Sequence, residues 1–159
     1  MLELHRKLIK NQRSVAVAES CTGGLLSKLL TDHSGSSKYF ILGVVCYSNK
    51  SKQFILKIPP ALIRKNGAVS KPVAINLAKN IRKLAKTEFG IGVTGIAGPT
   101  GGTSAKPVGT VFIAIASKNK TICKKFRFKG TRNSIRKQSC LKALELLKQF
   151  ISCTIWKQK

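Results

Sequence analysis

Ala18 to Gly24 read AESCTGG, directly after the apolar run Val15-Ala16-Val17. A β-rich run, a turn of small polar residues and a helical pattern from Leu25 follow one another, the layout of a strand, a tight turn and a helix start. Such a turn gathers a hydroxyl from Ser20 or Thr22, the thiol of Cys21 and the backbone N–H groups around Gly23 and Gly24. N–H groups at a helix start favour anions and developing oxyanions. The segment therefore offers a nucleophile and a place for the charge its attack creates.

A base for that nucleophile must come from elsewhere. The only acids are Glu3, Glu19, Asp32, Glu88 and Glu145. Paired-carboxylate hydrolysis and a two-metal carboxylate cage both need more. The stretch YSNKSK, Tyr47 to Lys52, supplies a candidate. If Ser48 or Asn49 caps a helix, Lys52 lies in its first turns and points back over the end of the preceding strand. A lysine desolvated there has a depressed pKa and can take a proton from a serine, with Tyr47 relaying the proton or orienting the amine. The plainer alternative is a strand-end tyrosine beside a solvated lysine.

Two further segments stand at strand ends or loop starts, where ligands bind in open α/β sheets. One is GAVS at 67–70. The other, TGIAGPTGG…KPVGTV at 94–111, contains a loop from Gly95 to Gly109 with five glycines. It lacks the Gly-Lys-Ser/Thr of a P-loop and leads into a strand, unlike a Rossmann fingerprint. Its glycines suit a backbone that approaches a phosphate or ribose closely, or simply a long connection. Nearer the C-terminus, Arg132 or Arg136 at the start of the last helix can hold a phosphate bidentately.

The elements that must position these residues follow from periodicity. Met1 to Asn11 reads as an amphipathic helix with Leu4, Leu8 and Ile9 inward, Ser14 to Glu19 as the first strand, and Thr22 to Thr31 as the second helix. Tyr39 to Tyr47 is a continuous apolar run and reads as a buried strand. Ser48 to Lys57 and Ala61 to Asn66 read as helices separated by Pro59-Pro60, with Gly67 closing the second. Ser70 and Pro72 open a four-turn helix that faces Val73, Leu77, Ile81 and Leu84 inward. Phe89 to Thr94 is a strand. Val111–Ala116 and Thr121–Phe128 form a hairpin around Ser117-Lys118-Asn119-Lys120. Ile135, Leu141, Leu144, Leu147 and Ile151 mark a terminal helix. Together they imply one α/β domain over residues 1–159, a three-layer α/β/α sandwich around a mostly parallel mixed sheet of about five strands.

Composition sets the outer limits. The 159 residues suit one domain, and no apolar run approaches the roughly 20 residues a membrane crossing needs. The N-terminus has no signal-peptide core, so a cytoplasmic protein is expected, without membrane association. Five scattered cysteines without a CxxC pair argue against a disulfide framework or a zinc site, so no metal is expected. Four read as buried small hydrophobes; Cys21 is the exception. Thirty Lys+Arg against five Asp+Glu give a formal charge of +25. The basic residues are spread over every segment without a dense block, which points to non-specific attraction of nucleic acid and of anionic metabolites.

Taken in order, AESCTGG, GSS at 35–37, YSN at 47–49, GAVS, TGIAGPTGG and KPVGTV resemble the CinA C-terminal domain family, the nicotinamide-nucleotide amidohydrolases. The match runs from about Val15 to Ile151. The resemblance implies hydrolysis of the carboxamide of nicotinamide mononucleotide to nicotinate mononucleotide and ammonia, in pyridine-nucleotide recycling. It implies no cofactor, a pyridine-nucleotide partner, a homodimer and a stand-alone form of the domain. By position in the motifs it implies Ser20 as nucleophile, Lys52 as base and Tyr47 as partner of the pair. Cys21, Thr22, Gly23 and Gly24 would supply oxyanion or phosphate contacts. Thr94, Gly95, Gly98, Gly101, Gly102 and Lys106 would cover the nucleotide, and Arg132 would meet its phosphate.

The chain departs from the family's usual pattern at Ala105, an acid there, Asn66, often histidine, Thr131, usually aspartate, and Lys50, often glutamate. None of these touches the Ser20, Tyr47 and Lys52 set. Two alternatives stay open from the sequence. A Cys21 thiolate at a helix start is a rival nucleophile, and a non-catalytic module could bind nucleotides or nucleic acid through its charge.

Overall fold

The computed structural model describes residues 2–155, with side chains through residue 152. Met1 and the Cys153 thiol, two points of the expectations above, lie outside the described residues. The strands are β1 (Val15–Glu19), β2 (Phe40–Val45), β3 (Phe89–Gly95), β4 (Thr110–Ala116) and β5 (Thr121–Arg127). They form one sheet in the order β2-β1-β3-β4-β5. β1 pairs in parallel with β2 and β3, whereas β4 runs antiparallel to both β3 and β5. Only β4 is reversed, as a hairpin inserted into an otherwise parallel sheet requires.

The residue alternation explains the layers. Val15, Val17, Ile91, Val93, Val111, Ile113 and Ile115 project to one face and meet α1 (Leu2–Lys10), α2 (Leu25–Thr31) and α6 (Arg132–Ile155). Ala16, Ala18, Ala114 and Ala116 share the other face with Gly90 and Gly92. That face is covered by α3 (Asn49–Leu56), α4 (Pro60–Asn66) and α5 (Lys71–Ala85). The small residues let α5 lie almost on the sheet backbone. A Cβ at Gly90 would stand 2.1 Å from the Ala78 carbonyl oxygen, and one at Gly92 would stand 2.4 Å from that of Ala74. The result is the three-layer α/β/α arrangement expected from the sequence.

Five local expectations need correction. β2 is an edge strand rather than a buried one, with Ile41 and Val45 about half exposed, at 52% and 46%. Its continuous apolar run carries no information about its place in the strand order. Helix α2 starts at Leu25, three residues later than Thr22, because Gly23 and Gly24 adopt positive φ and hold a turn there. Leu84 is exposed: α5 passes the head of β3 near Arg82, so its last turn overhangs the sheet. Leu141 is exposed as well, because six residues after Ile135 is off the helical face, and Cys140 takes the inward position. Ser70 stands at the N-cap of α5, but its hydroxyl donates to the Gly67 carbonyl at 2.9 Å instead of accepting from the helix.

Candidate active site

β1 delivers Ser20 to the C-terminal edge of the sheet, where its N–H still donates to the Val93 carbonyl of β3 at 3.0 Å. The preceding residue, Glu19, is completely buried and governs the turn. Its carboxylate accepts from the N–H groups of Gly24 (3.0 Å), Leu26 (3.1 Å) and Ser27 (2.7 Å) and from the Ser27 hydroxyl (2.7 Å). The start of α2 is thus already occupied by the chain's own anion. The N–H groups of Gly23 and Leu25 are turned to the carbonyls of Ser20 and Thr22. Gly23 and Gly24 therefore have no N–H to offer a ligand, contrary to the expectation from the sequence. Among the described residues the Cys21 and Thr22 N–H groups donate to no backbone carbonyl, and of these two residues Cys21 lines the cavity beside Ser20. The Thr22 side chain is buried without a hydrogen-bond partner and does not line the cavity beside Ser20, so it does not assist there. Arg136 fixes the turn from outside, donating from Nε (3.2 Å) and Nη2 (2.8 Å) to the Thr22 carbonyl.

Lys52 comes from the first turn of α3. Ser48 caps that helix, its hydroxyl accepting from the Ser51 N–H at 3.0 Å. The lysine side chain runs back under the end of β2 and is buried, with 1% of its surface exposed. Its Nζ donates to the carbonyls of Cys46 (2.9 Å) and Tyr47 (3.1 Å) and lies 3.0 Å from Ser20 Oγ. Burial pushes the Lys52 pKa below its ordinary value. The geometry of the neutral form is then determined. The two carbonyls can only accept, so they take both N–H bonds of the amine, and its lone pair is left facing the Ser20 hydroxyl.

Burial acts in the opposite sense on Cys21, whose thiol is pushed up to about 12. It is a protonated, buried group and not the thiolate a nucleophile requires. Cys21, Cys46 and Cys140 are all buried free thiols, while Cys123 on β5 is only half-buried. The expected set of small buried hydrophobes is thus corrected at Cys123, and Cys21 is no exception to it.

A cavity of about 270 Å³ opens over Ser20 and Lys52. Its walls come from Tyr47 and Asn49, from Ala68 and Val69, and from the loop Thr94–Gly98 with Thr100 and Gly101. Thr94 joins two of these walls, its hydroxyl donating to the Ala68 carbonyl at 2.9 Å. Arg132, from the first turn of α6, closes the rim. It donates from Nη1 to the Gly98 carbonyl and from Nη2 to the Tyr47 hydroxyl, both at 2.8 Å. The Tyr47 phenol is accordingly exposed and paired with Arg132, and it is the Tyr47 carbonyl that touches Lys52. Gly102 and Lys106 lie off the cavity. Gly102 packs against the Val108 backbone, and Lys106 Nζ donates to the Asn66 carbonyl at 2.9 Å, pinning the loop to the end of α4. Thr131 accepts from the Ser134 N–H at 3.3 Å, so it still caps α6 where the family pattern has aspartate. Asn49 is legible in the sequence only as a possible helix cap, and Ala68, Val69 and Ile96 only by their places inside the GAVS and TGIAG stretches.

The CinA C-terminal domain family model matches residues 1–151 of this chain. A competence-damage inducible protein of Thermoanaerobacter pseudethanolicus is 49% identical over 152 residues, covering 95% of this chain and 37% of that protein. A CinA-like protein of Koribacter versatilis is 51% identical over 136 residues, covering 86% of this chain and 33% of the relative. The chain thus spans about a third of the length of the curated relatives it matches. The crystal structure of the competence/damage inducible protein CihA from Agrobacterium tumefaciens superposes with a TM-score of 0.88 at 36% identity, covering 92% of this chain and 93% of that one. No helix among the described residues is long and apolar enough to cross a membrane.

Proposed function

This chain belongs to the CinA C-terminal domain family, and on that premise we propose that it hydrolyses the carboxamide of nicotinamide mononucleotide to nicotinate mononucleotide and ammonia. One observation carries the proposal. A buried amine, its pKa lowered by desolvation, is held by two backbone carbonyls and lies 3.0 Å from the hydroxyl of a serine at the floor of a cavity. That is a general base joined to a nucleophile without any carboxylate.

Lys52 takes the Ser20 proton as Oγ attacks the amide carbon. The Cys21 N–H group receives the oxyanion. The C–N bond then breaks and ammonia leaves with the proton from Lys52. Water attacks the resulting ester, its proton passes to Lys52 and on to Ser20 Oγ, and the carboxylate product departs. Arg132 at the rim meets the nucleotide phosphate, exchanging its bonds to Gly98 and Tyr47 for a bidentate pair. Pyridine-nucleotide recycling in the cytoplasm and a homodimer go with this function. The half-exposed Ile41 and Val45 on the unpaired edge of β2 support the dimer.

The test is release of ammonia and nicotinate mononucleotide from nicotinamide mononucleotide by the purified protein. Ser20→Ala is expected to lower the rate on the order of 10⁴-fold. Full activity in that variant removes Ser20 as the nucleophile. No ammonia from the unaltered protein removes the reaction.

A further inference from the structure

We infer that the opposite end of the sheet carries a second anion site, one that takes an organic molecule bearing two or more phosphate charges. A cavity of about 380 Å³ lies at the N-terminal ends of β1 and β3, beside the turn of the β4–β5 hairpin. It is larger than the cavity over Ser20 and shares no residue with it. Phe89 and Ile151 close its floor, and Arg13, Arg82, Lys86, Lys118 and Lys120 stand around it, with Glu88 as its only acid among the described residues.

The cations differ in what they already hold. Glu88 is consumed by an ion pair with Arg13 and by the Ser14 N–H at 3.1 Å. Among the described residues, Arg82, Lys86, Lys118 and Lys120 are in no ion pair. Arg82 is nonetheless positioned, its Nη1 donating to the Thr87 carbonyl at 3.4 Å. The hairpin turn is held by the Ser117 hydroxyl, which donates to the Lys120 carbonyl at 3.2 Å and accepts from the Lys120 N–H at 3.1 Å. The C-terminus of α5, whose carbonyls would repel an anion, is closed by the N–H groups of Lys86 and Thr87. Four unneutralised cations from two separate elements therefore converge on a concave space with an apolar floor. The space is in the size range of small-molecule sites. A multiply charged phosphate satisfies the rim, and the floor accepts a ring or chain attached to it. Basic residues are spread along the whole sequence, and around this cavity five of them line one space.

Titration of the ¹⁵N-labelled protein with adenosine diphosphate, followed by amide shifts, tests the site. Saturable shifts are expected at Thr87, Ser117, Lys118 and Lys120, with a dissociation constant separate from any seen at Ser20 and Thr94. A variant with Arg82→Gln, Lys118→Gln and Lys120→Gln is expected to weaken this binding at least tenfold. A control with Lys38→Gln, Lys65→Gln and Lys79→Gln, exposed lysines outside the cavity with the same loss of charge, should change it less than twofold. Equal weakening in both variants, or shifts confined to Ser20 and Thr94, overturns the site. An oligothymidylate arm separates the ligand classes: if it shifts the cavity amides at lower concentration than adenosine diphosphate does, the site reads polymer backbone and the assignment to a small ligand fails.

Discussion

The two ends of β1 and β3 use the same residue type in opposite ways. At the Ser20 end, a single lysine is driven inside, desolvated and held by two carbonyls. At the Ser14 end, lysines stand exposed around an open cavity, with no such constraint. One amine is buried against a serine hydroxyl; the others face solvent, where they attract anions. The difference lies in burial and in which backbone groups lie within reach, and neither is a property of lysine. In a chain with a formal charge of +25, the cation to single out for chemistry is the one whose charge burial disfavours.

Lys52→Met breaks this contrast most directly. It keeps the volume and removes the lone pair, and the rate of ammonia release is expected to fall about 10²- to 10⁴-fold. In the unaltered protein the rate should climb with pH as Lys52 loses its proton, and level off above its depressed pKa. Stability moves in the same direction. The unfolded lysine titrates near 10.5 and the folded one lower, so between those values the unfolded chain holds the extra proton. Stability therefore rises with pH across that window, and the stability difference between the unaltered protein and Lys52→Met should shift by the same sign. Denaturant unfolding at several pH values measures it. A flat difference across the window means that Lys52 is not desolvated.

Arg132→Gln sharpens the comparison from the other side, because Arg132 is the exposed cation of the Ser20 end. Loss of a charged hydrogen-bond pair predicts a fall in kcat/KM of roughly 10- to 100-fold, mostly in KM. Lysine at this position should not restore it, since the fork that spans Gly98 and Tyr47 needs a guanidinium. Steady-state kinetics with the nucleotide and with the free base nicotinamide separates the two contributions. An equal loss on both substrates means that Arg132 does not act on the phosphate.

Much of this frame is legible in the residues. VAVA in β1 and GIG in β3 announce strands whose two faces differ in size, and the hairpin turn at Ser117–Lys120 lies where its polar run places it. Strand order is not written locally, so β2 reads as a buried strand from its apolar run and proves to be an edge. Side-chain chemistry also draws attention away from the main chain. Tyr47 invites a role for its phenol, yet its carbonyl is what meets Lys52. Glu19 looks like a free acid among few, yet its carboxylate is spent within the turn. The proximity of Ser20 and Lys52, 32 residues apart, follows from no spacing rule. It was anticipated through the ordered motifs shared with a family.

Gly92→Ala tests the scaffold common to both ends. A Cβ there meets the Ala74 carbonyl oxygen at 2.4 Å and the Ala78 nitrogen at 2.6 Å, both backbone atoms that cannot swing aside. α5 must lift from β3, with an expected loss of about 1–3 kcal/mol. The denaturant midpoint should fall at unchanged slope. Activity is expected to drop less than for Arg132→Gln, because no group in the cavity is removed.

The smallest effect is expected at Cys21, the residue next to the nucleophile. Its thiol is held protonated by burial, with a pKa pushed up to about 12, and the role proposed for it is that of its backbone N–H. Cys21→Ala preserves that N–H and removes only a buried sulfur. Ammonia release should stay within about threefold of the unaltered protein, while stability falls by about 1 kcal/mol as a small void opens. Ser20→Ala and Cys21→Ala then differ by orders of magnitude at adjacent positions. Should Cys21→Ala instead abolish turnover while remaining folded, the nucleophile is the sulfur, and Lys52 would have to act by depressing a thiol pKa that burial raises.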